Sequence, residues 1–324
     1  MTNFQVYKKT LSFSGLMFLV DLLGLVVVLG LSTLGFFIFI DRSAGMAIIG
    51  LIVGLILGII LASLLNIFVT NRIKAAQISM MTKGVTEDTL PDKTFSAGFN
   101  EIKGRFGRIT GFYFITRAIK AIFNQIFKAI NALGTAVGGD AGNAVTGAVN
   151  SAVQVLLGYL CDCCMGWVLF RKDVSMARAG CEGAVIFFKH GKTLFRNIGR
   201  IFGMGFLSLL IVGGAFFGIS FAIFNAMPGM FESLSHELVE IAQSGEGDVP
   251  EFLTNTTLFM VVVAAILGVV LWSMVHSVLI RPFILVGVLR NYMASGLKEM
   301  PTEADFATLD AKSPRFAALH KEFQ

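Results

Sequence analysis

Charged residues are scarce in this chain. Only 15% of its 324 residues are Asp, Glu, Lys or Arg, and 55% are hydrophobic, with a mean hydropathy of +0.76. Soluble domains carry about 25% charged residues, so the composition excludes an ordinary soluble domain. Runs that alternate apolar and polar residues over about ten positions, typical of a β-barrel, are also missing. The sequence therefore predicts an all-α, polytopic bundle of membrane helices.

Catalytic motifs are missing too. The chain has no HExxH, no GxSxG, no phosphate-binding loop and no dinucleotide fingerprint, and its four His residues are scattered. Nothing here predicts an enzyme, a cofactor or a metal. The net charge of +5 comes from short basic blocks beside apolar runs, which does not indicate nucleic-acid binding. The lipid bilayer is the expected partner, with a small-molecule substrate, a homo-oligomer or a membrane partner left open.

Cysteine is also rare, with four residues: Cys161, Cys163, Cys164 and Cys181. They cluster near the predicted cytosolic face, where thiols stay reduced, so a disulfide framework is not expected. Cys161 and Cys164 share one helix face. Three interpretations remain open: buried free thiols, reversible acylation and metal binding, although a single helix cannot supply the four ligands of a zinc site.

Long apolar runs dominate the rest of the chain. Lys8 and Lys9 precede a run that is too long for a signal peptide, which predicts a retained first span. The predicted spans are 10–40, 43–70, 109–133, 141–170, 201–224 and 258–280. They form hairpins over about 10–70, 109–170 and 201–280, within a transmembrane domain 1–296 that is followed by a cytosolic tail 297–324.

The segment 109–133 carries a polar stripe within a mostly apolar helix. Its six polar positions fall within roughly 80° of one another: Arg117, Lys120, Asn124, Lys128, Asn131 and Thr135. Such a helix either lies flat on the membrane or crosses it. The loops 71–108 and 171–200 each hold seven Lys or Arg residues, and they stay on one side if 109–133 and 141–170 both cross. This predicts six spans with both termini in the cytosol.

Short internal matches indicate a repeat. Residues 107–112 resemble 199–204, and 72–84 and 171–183 are basic segments of equal length that end in Gly. We therefore expect three tandem hairpins, each followed by an interfacial amphipathic segment. In the second span Gly50, Gly54 and Gly58 recur on one face, which predicts close approach of a neighbouring helix.

Ionisable residues within membrane spans are candidates for function because an unpaired charge there is costly. The candidate transport path comprises Asp21, Arg117, Lys120, Asn124, Lys128 and Asp162. We expect Asp162 to pair with Arg117 on the antiparallel neighbouring helix. The alternative is that these residues form structural ion pairs and snorkelling lysines. Candidate interfacial or lipid-contacting residues are Lys189, Lys192, Arg196 and Arg200.

One stretch resembles a known family. Over about 156–214 the chain contains the cysteine cluster CDCCMGW (161–167), an Arg-Asn-x-x-Arg step at Arg196–Arg200 and a following Gly-bearing span at Gly213. These features resemble the later part of the choline transporter-like family. The resemblance implies a solute carrier that moves choline or a related amine.

Two functions from different classes follow from the sequence. The first is a transporter or channel-like protein for a small solute or a lipid headgroup. The second is a non-transporting membrane scaffold or assembly protein that binds a partner or anionic lipid through its basic cytosolic loops.

Overall fold

The fold is entirely helical wherever the structure describes it. A computed structural model describes residues 1–40, 42–105, 118–122, 124–125, 141–195, 198–244 and 249–322. Within these ranges the regular structure consists of helices, with no strand. The all-α class predicted from composition is confirmed.

The helices within the described ranges are labelled here in chain order. They are α1 (Asn3–Phe39), α2 (Ala44–Leu65), α3 (Asn71–Thr86), α4 (Thr94–Arg105), α5 (Ala141–Phe170), α6 (Met176–Phe195), α7 (Ile198–Ser208), α8 (Gly214–Asn225), α9 (Pro228–Ser244), α10 (Glu251–Thr254), α11 (Thr256–Val275), α12 (Arg281–Lys298), α13 (Glu303–Asp310) and α14 (Pro314–His320). Three π-helical segments, Asn66–Thr70, Leu209–Gly213 and His276–Ile280, join α2 to α3, α7 to α8 and α11 to α12. A π-helical turn changes the register of a helix without ending it.

Four helical stretches in the described residues are long and apolar enough to cross a bilayer. They are Asn3–Phe39, Gly45–Thr86, Ile201–Asn225 and Thr256–Lys298. Each exceeds the roughly 20 residues that a crossing requires. They correspond to the predicted spans 10–40, 43–70, 201–224 and 258–280, so four of the six predicted spans reappear.

The other two predicted spans have different outcomes. Most of 109–133 lies outside the described residues. The stretch 141–170 is a helix, α5, whose more apolar part, Gln154–Phe170, is shorter than the four candidate spans. From Leu157 to Leu169 this helix is largely buried by other parts of the protein. Its apolar side chains therefore form protein core.

The chain folds into two compact units. The membrane unit comprises Gly15–Thr70 and Phe202–Arg281. The composite unit is named for its three chain segments, Met1–Ser14, Asn71–Ile201 and Pro282–Gln324. Of the 26 Lys and Arg residues, all belong to the composite unit except Arg42 and Arg281. The charge of the chain is thus concentrated in one unit.

In the membrane unit, α1 and α2 pack through glycine. A Cβ at Gly54 would overlap the carbonyl oxygen of Leu31, and one at Gly58 would lie 2.7 Å from the Cα of Val28. Gly50 faces Gly35 just as closely. Backbones approach to this distance only where side chains are absent. The predicted close approach along Gly50, Gly54 and Gly58 is confirmed.

The second hairpin of the membrane unit pairs α8 with α11. A Cβ at Gly268 would lie 3.1 Å from the backbone nitrogen of Phe217. One helical turn after Gly268, the indole of Trp272 donates a 3.0 Å hydrogen bond to the hydroxyl of Ser208. The acidic segment between the two helices is folded too, since Phe231 of α9 is buried against Phe259 of α11.

The surface of the membrane unit is apolar. Large side chains on its helices are more than half exposed within the protein, including Leu29, Ile56, Ile211 and Ile266. Soluble proteins rarely expose contiguous apolar surface on this scale. Together with the length of the four apolar helices, this establishes a membrane-embedded protein.

The composite unit has a conventional buried core. Helix α3 packs on α4 and α5, and α5 packs on α6. A polar contact ties the start of α1 to α3, because Gln77 donates hydrogen bonds to the carbonyl of Thr10 (3.3 Å) and to the hydroxyl of Ser14 (2.9 Å). All three side chains are buried, and the hydrogen bonds offset the cost of removing them from water.

The C-terminal tail is part of this core. A capping box formed by Thr302 and Asp305 starts α13, and Ser313 caps α14, which has Pro314 at its first turn. Phe306 and Phe316 are buried and stack on each other. The segment predicted as a polar cytosolic tail thus contains two helices, both of which contact α6.

Substitution of Gly54 by Ala tests the glycine contact. The added Cβ meets backbone atoms of α1, which cannot rotate away, so we expect Gly54→Ala to lower stability by about 1–3 kcal/mol. Gly30→Ala is the control, because no atom lies within 4 Å of a Cβ at that position. Thermal unfolding in detergent, followed by circular dichroism, measures both. Equal midpoints for the two variants would contradict the proposed contact.

Candidate functional site

The two acidic residues of the predicted path lie in different units. Asp21 is in α1 within the membrane unit and is partly buried. Asp162 is in α5 within the composite unit, where its side chain is only 7% exposed. Its carboxylate lies 2.6 Å from the ammonium of Lys74 on α3. The observed partner of Asp162 is thus Lys74, whereas the expected partner Arg117 lies outside the described residues.

The polar stripe contributes four residues to the candidate transport path, and the structure describes two of them. Lys120 is exposed, and Asn124 accepts a 3.2 Å hydrogen bond from the side chain of Gln154 on α5. Arg117 and Lys128 lie outside the described residues. The contact between Asn124 and Gln154 joins the stripe-bearing segment to α5 within the composite unit.

Of the four candidate interfacial cations, Lys189 is the one whose side chain the structure describes. Lys189 of α6 lies 2.7 Å from Glu299 and 3.1 Å from Asp305. The hydrogen bond from Lys189 to Glu299 is the main cause of a raised pKa of Lys189. Arg196 and the side chains of Lys192 and Arg200 lie outside the described part of the structure. Lys189 therefore holds the C-terminal segment, a role that the sequence pattern did not predict.

Asp305 shows how this contact is stabilised. Burial acts to raise the pKa of Asp305, but hydrogen bonds from the backbone and hydroxyl of Thr302 and the nearby Lys189 together hold that pKa below its ordinary value. The carboxylate is therefore favoured in its charged form. A charged side chain that caps α13 and also pairs with Lys189 fixes the orientation of that helix against α6.

A buried carboxylate lies at the centre of the composite unit. Glu182 of α6 is 3% exposed and accepts a 3.0 Å hydrogen bond from the indole of Trp167 and a 2.9 Å hydrogen bond from Arg171. Arg178, one helical turn earlier, lies 3.5 Å away. Two cations and one indole thus surround the carboxylate, so its oxygens have polar partners inside the core.

Glycine allows the helices around this cluster to approach. A Cβ at Gly296 of α12 would lie 2.6 Å from the ring of Trp167, and one at Gly183 would lie 3.0 Å from the hydroxyl of Tyr292. That hydroxyl donates a 2.6 Å hydrogen bond to the carbonyl of Gly183. The cluster thus joins α5, α6 and α12 through contacts that larger residues would prevent.

The four thiols are all buried. Burial, with smaller contributions from nearby carboxylates, raises the pKa of Cys181. A buried, protonated thiol is neither nucleophilic nor accessible, which favours buried free thiols over the acylation interpretation. Within the described ranges no group of three or more His, Cys, Asp or Glu is arranged to hold a metal ion.

Sequence reasoning did not single out Glu182, although one signal for it exists. Glu182 is the single acidic residue between Asp173 and Phe224, in an otherwise apolar and basic stretch, and it follows Arg178 by four residues. Such spacing allows an ion pair on a helix surface. It does not reveal that Trp167 and Arg171 complete the cluster.

Comparisons with known proteins give no relatives. No protein-family model matches the chain, and no curated protein or solved structure matches it. The structure alone therefore defines the class, which is a helical protein embedded in a membrane, with most of its charge in a separate compact unit.

Glu182→Gln tests the buried cluster. The variant keeps the shape of the side chain but leaves Arg171 without its buried countercharge, so we expect a loss of about 3 kcal/mol in unfolding free energy. Trp167 reports the change by fluorescence in a Trp272→Phe background, because the chain has only two Trp residues.

Asp173→Asn is the matched control for that measurement. Asp173 pairs with the same arginine but its side chain is 66% exposed, so its loss should cost less than about 1 kcal/mol. Similar losses in the two variants would show that burial of Glu182 does not set the strength of the cluster.

Proposed function

We propose that this protein is a non-transporting membrane scaffold, in which two apolar hairpins hold a charged helical unit that binds a partner or anionic lipid. The observation that carries the proposal is the location of the ionisable residues. Asp162 is paired with Lys74 inside the composite unit, and the four candidate spans contribute one acidic residue, Asp21, to the membrane unit. A hydrated path for a charged solute usually requires several ionisable groups among the spans.

The packing of the hairpins supports the same proposal. The contacts at Gly35, Gly54 and Gly268 bring helix backbones into direct contact. Close, rigid packing of this kind suits an anchor. The exposed cations Lys8 and Lys9 lie at the start of α1, beside the strongly exposed Phe4, and basic and aromatic residues in this combination favour contact with an anionic lipid surface.

The distribution of charge supports a cytosolic composite unit with cytosolic termini. Segments rich in Lys and Arg resist translocation, and the composite unit holds nearly all of these residues. By contrast, 225–257 carries six acidic residues and no Lys or Arg. It links two candidate spans, which favours a location on the opposite side of the membrane.

Transport is the second candidate function, and one observation favours it. Asp21 is a partly buried carboxylate within an apolar span, and a carboxylate in that position is suited to binding an organic cation. The resemblance of 156–214 to the choline transporter-like family implies a substrate of that kind. The scaffold and transport functions differ in one measurable property, which is the flux of solute across the membrane.

Single-cysteine labelling tests the sidedness. The native thiols are buried, so a membrane-impermeant maleimide should react with introduced cysteines only. We expect Lys93→Cys and Lys312→Cys, both exposed in the composite unit, to react from one side of oriented vesicles and Ser233→Cys of α9 to react from the other. Reaction of Lys93→Cys and Lys312→Cys from opposite sides would contradict a single cytosolic unit.

Flux measurements test the function itself. We expect the purified protein in liposomes to move radiolabelled choline, other organic cations and small anions no faster than empty liposomes, because the four candidate spans of the described residues contribute a single acidic group to the membrane unit. A known choline carrier reconstituted in parallel is the positive control. Saturable flux that Asp21→Asn reduces at least tenfold would refute the scaffold proposal and establish transport.

A further inference from the structure

A cleft opens in the composite unit between α3, α4 and the end of α5. Its volume is about 190 Å³, and its lining residues are Ser79, Thr82, Lys83, Thr86, Glu87, Glu101, Leu169, Phe170 and Lys172. The cleft is small beside typical ligand pockets, which span about 300–1,000 Å³. A compact molecule with few heavy atoms would fit it.

The charges that line the cleft are balanced. Lys83 and Lys172 supply two ammonium groups, and Glu87 and Glu101 supply two carboxylates. Glu101 connects the two lysines, since it is paired with Lys172 and its other oxygen lies 3.9 Å from Lys83. A ligand with one sign of charge would meet a repelling group wherever it lay.

The contacts of Lys83 are longer than direct hydrogen bonds. Its ammonium lies 3.8 Å from Glu87 and 3.9 Å from Glu101, beyond the 2.7–3.2 Å of a direct N–H···O hydrogen bond. By contrast, Lys74 lies 2.6 Å from Asp162 in the same unit. The weak contacts of Lys83 can therefore be replaced by the oxyanion of a bound molecule at small cost.

An apolar wall accompanies the charges of the cleft. Leu169 supplies this wall and is itself buried. The hydroxyl of Thr82 is enclosed beside Gly166 of α5 and has no exposed surface, so the side-chain groups that the cleft offers to a polar ligand are mainly its charged ones. The cleft thus combines both signs of charge with an apolar surface.

We propose that this cleft binds a small zwitterion, with an ammonium group and an oxyanion separated by two or three atoms. The ammonium lies between Glu87 and Glu101, and the oxyanion lies between Lys83 and Lys172. The inference does not depend on the scaffold function, since it uses contacts within the composite unit only. The same chemistry occurs in free β-amino acids and in the headgroup of phosphatidylethanolamine.

Isothermal titration calorimetry on the full chain in dodecyl maltoside tests the proposal. We expect β-alanine or phosphoethanolamine to bind, and we expect acetate and ethylammonium, which each carry one of the two charges, to bind at least tenfold more weakly. Lys172→Gln should lower the affinity for the zwitterion about tenfold, which corresponds to the loss of one charged contact.

Lys189→Gln is the matched control. It removes a lysine that also pairs with two carboxylates in the composite unit but lies outside the cleft, so the affinity should not change. Lys172 is 57% exposed at its side chain, so its variant should fold. The proposal would be overturned if neither zwitterion bound or if acetate bound as tightly as the zwitterions. It would also be overturned if Lys189→Gln and Lys172→Gln lowered the affinity equally.

A second arm separates a free ligand from a lipid. The protein is placed in phosphatidylglycerol nanodiscs with or without phosphatidylethanolamine, and binding of phosphoethanolamine is measured again. If a lipid headgroup occupies the cleft, it competes with phosphoethanolamine. The apparent affinity for phosphoethanolamine is then at least tenfold weaker when phosphatidylethanolamine is present. A free ligand predicts the same affinity in both discs. Either result supports a zwitterion site and assigns its source, whereas no binding in either disc contradicts the site.

Discussion

One constraint on the path of the chain governs this fold. The composite unit contains the first residues of the chain, a long central segment and the last segment, and the apolar hairpins 15–70 and 202–281 separate these pieces. If the hairpins cross the membrane as proposed above, the three pieces can share one core only when each hairpin returns to the compartment that it left. An even number of crossings in each hairpin is therefore a condition for folding. The near absence of Lys and Arg from both hairpins is consistent with this condition.

Local signals in the sequence predicted the membrane unit well. Long apolar runs marked the four candidate spans, and the spacing of Gly50, Gly54 and Gly58 predicted a backbone contact that the structure confirms. Hydropathy was less informative for 141–170. An apolar helix has the same composition whether lipid or protein surrounds it, and α5 is covered by α3 and α6 over its C-terminal half. Only tertiary contacts distinguish the two environments.

The partners of charged residues could not be predicted for a related reason. Helical periodicity shows which face of a helix carries Asp162, but it does not show which distant helix meets that face. One partner is Lys74 on α3, and the expected partner Arg117 lies outside the described residues. The tail illustrates the same limit, since its composition suggested a solvated segment. Its few apolar residues, among them Phe306 and Phe316, are spaced so that two short helices bury them together. Lys189 pairs with Glu299 and Asp305 at the start of this segment.

The ion pairs of the composite unit fall into two groups that differ in geometry. The pairs Lys74–Asp162, Arg171–Glu182 and Lys189–Glu299 have N···O distances of 2.6, 2.9 and 2.7 Å, and each joins two helices or a helix to its neighbouring segment. Such tight contacts between partly desolvated groups hold the helices in one arrangement. Lys83 differs because its two carboxylates lie near 4 Å. A lysine with loose contacts contributes little to folding, and it can exchange its partners for those of a bound molecule at small cost. The longer distances at Lys83 are thus consistent with the binding role proposed for its cleft, whereas the three short pairs hold helices together.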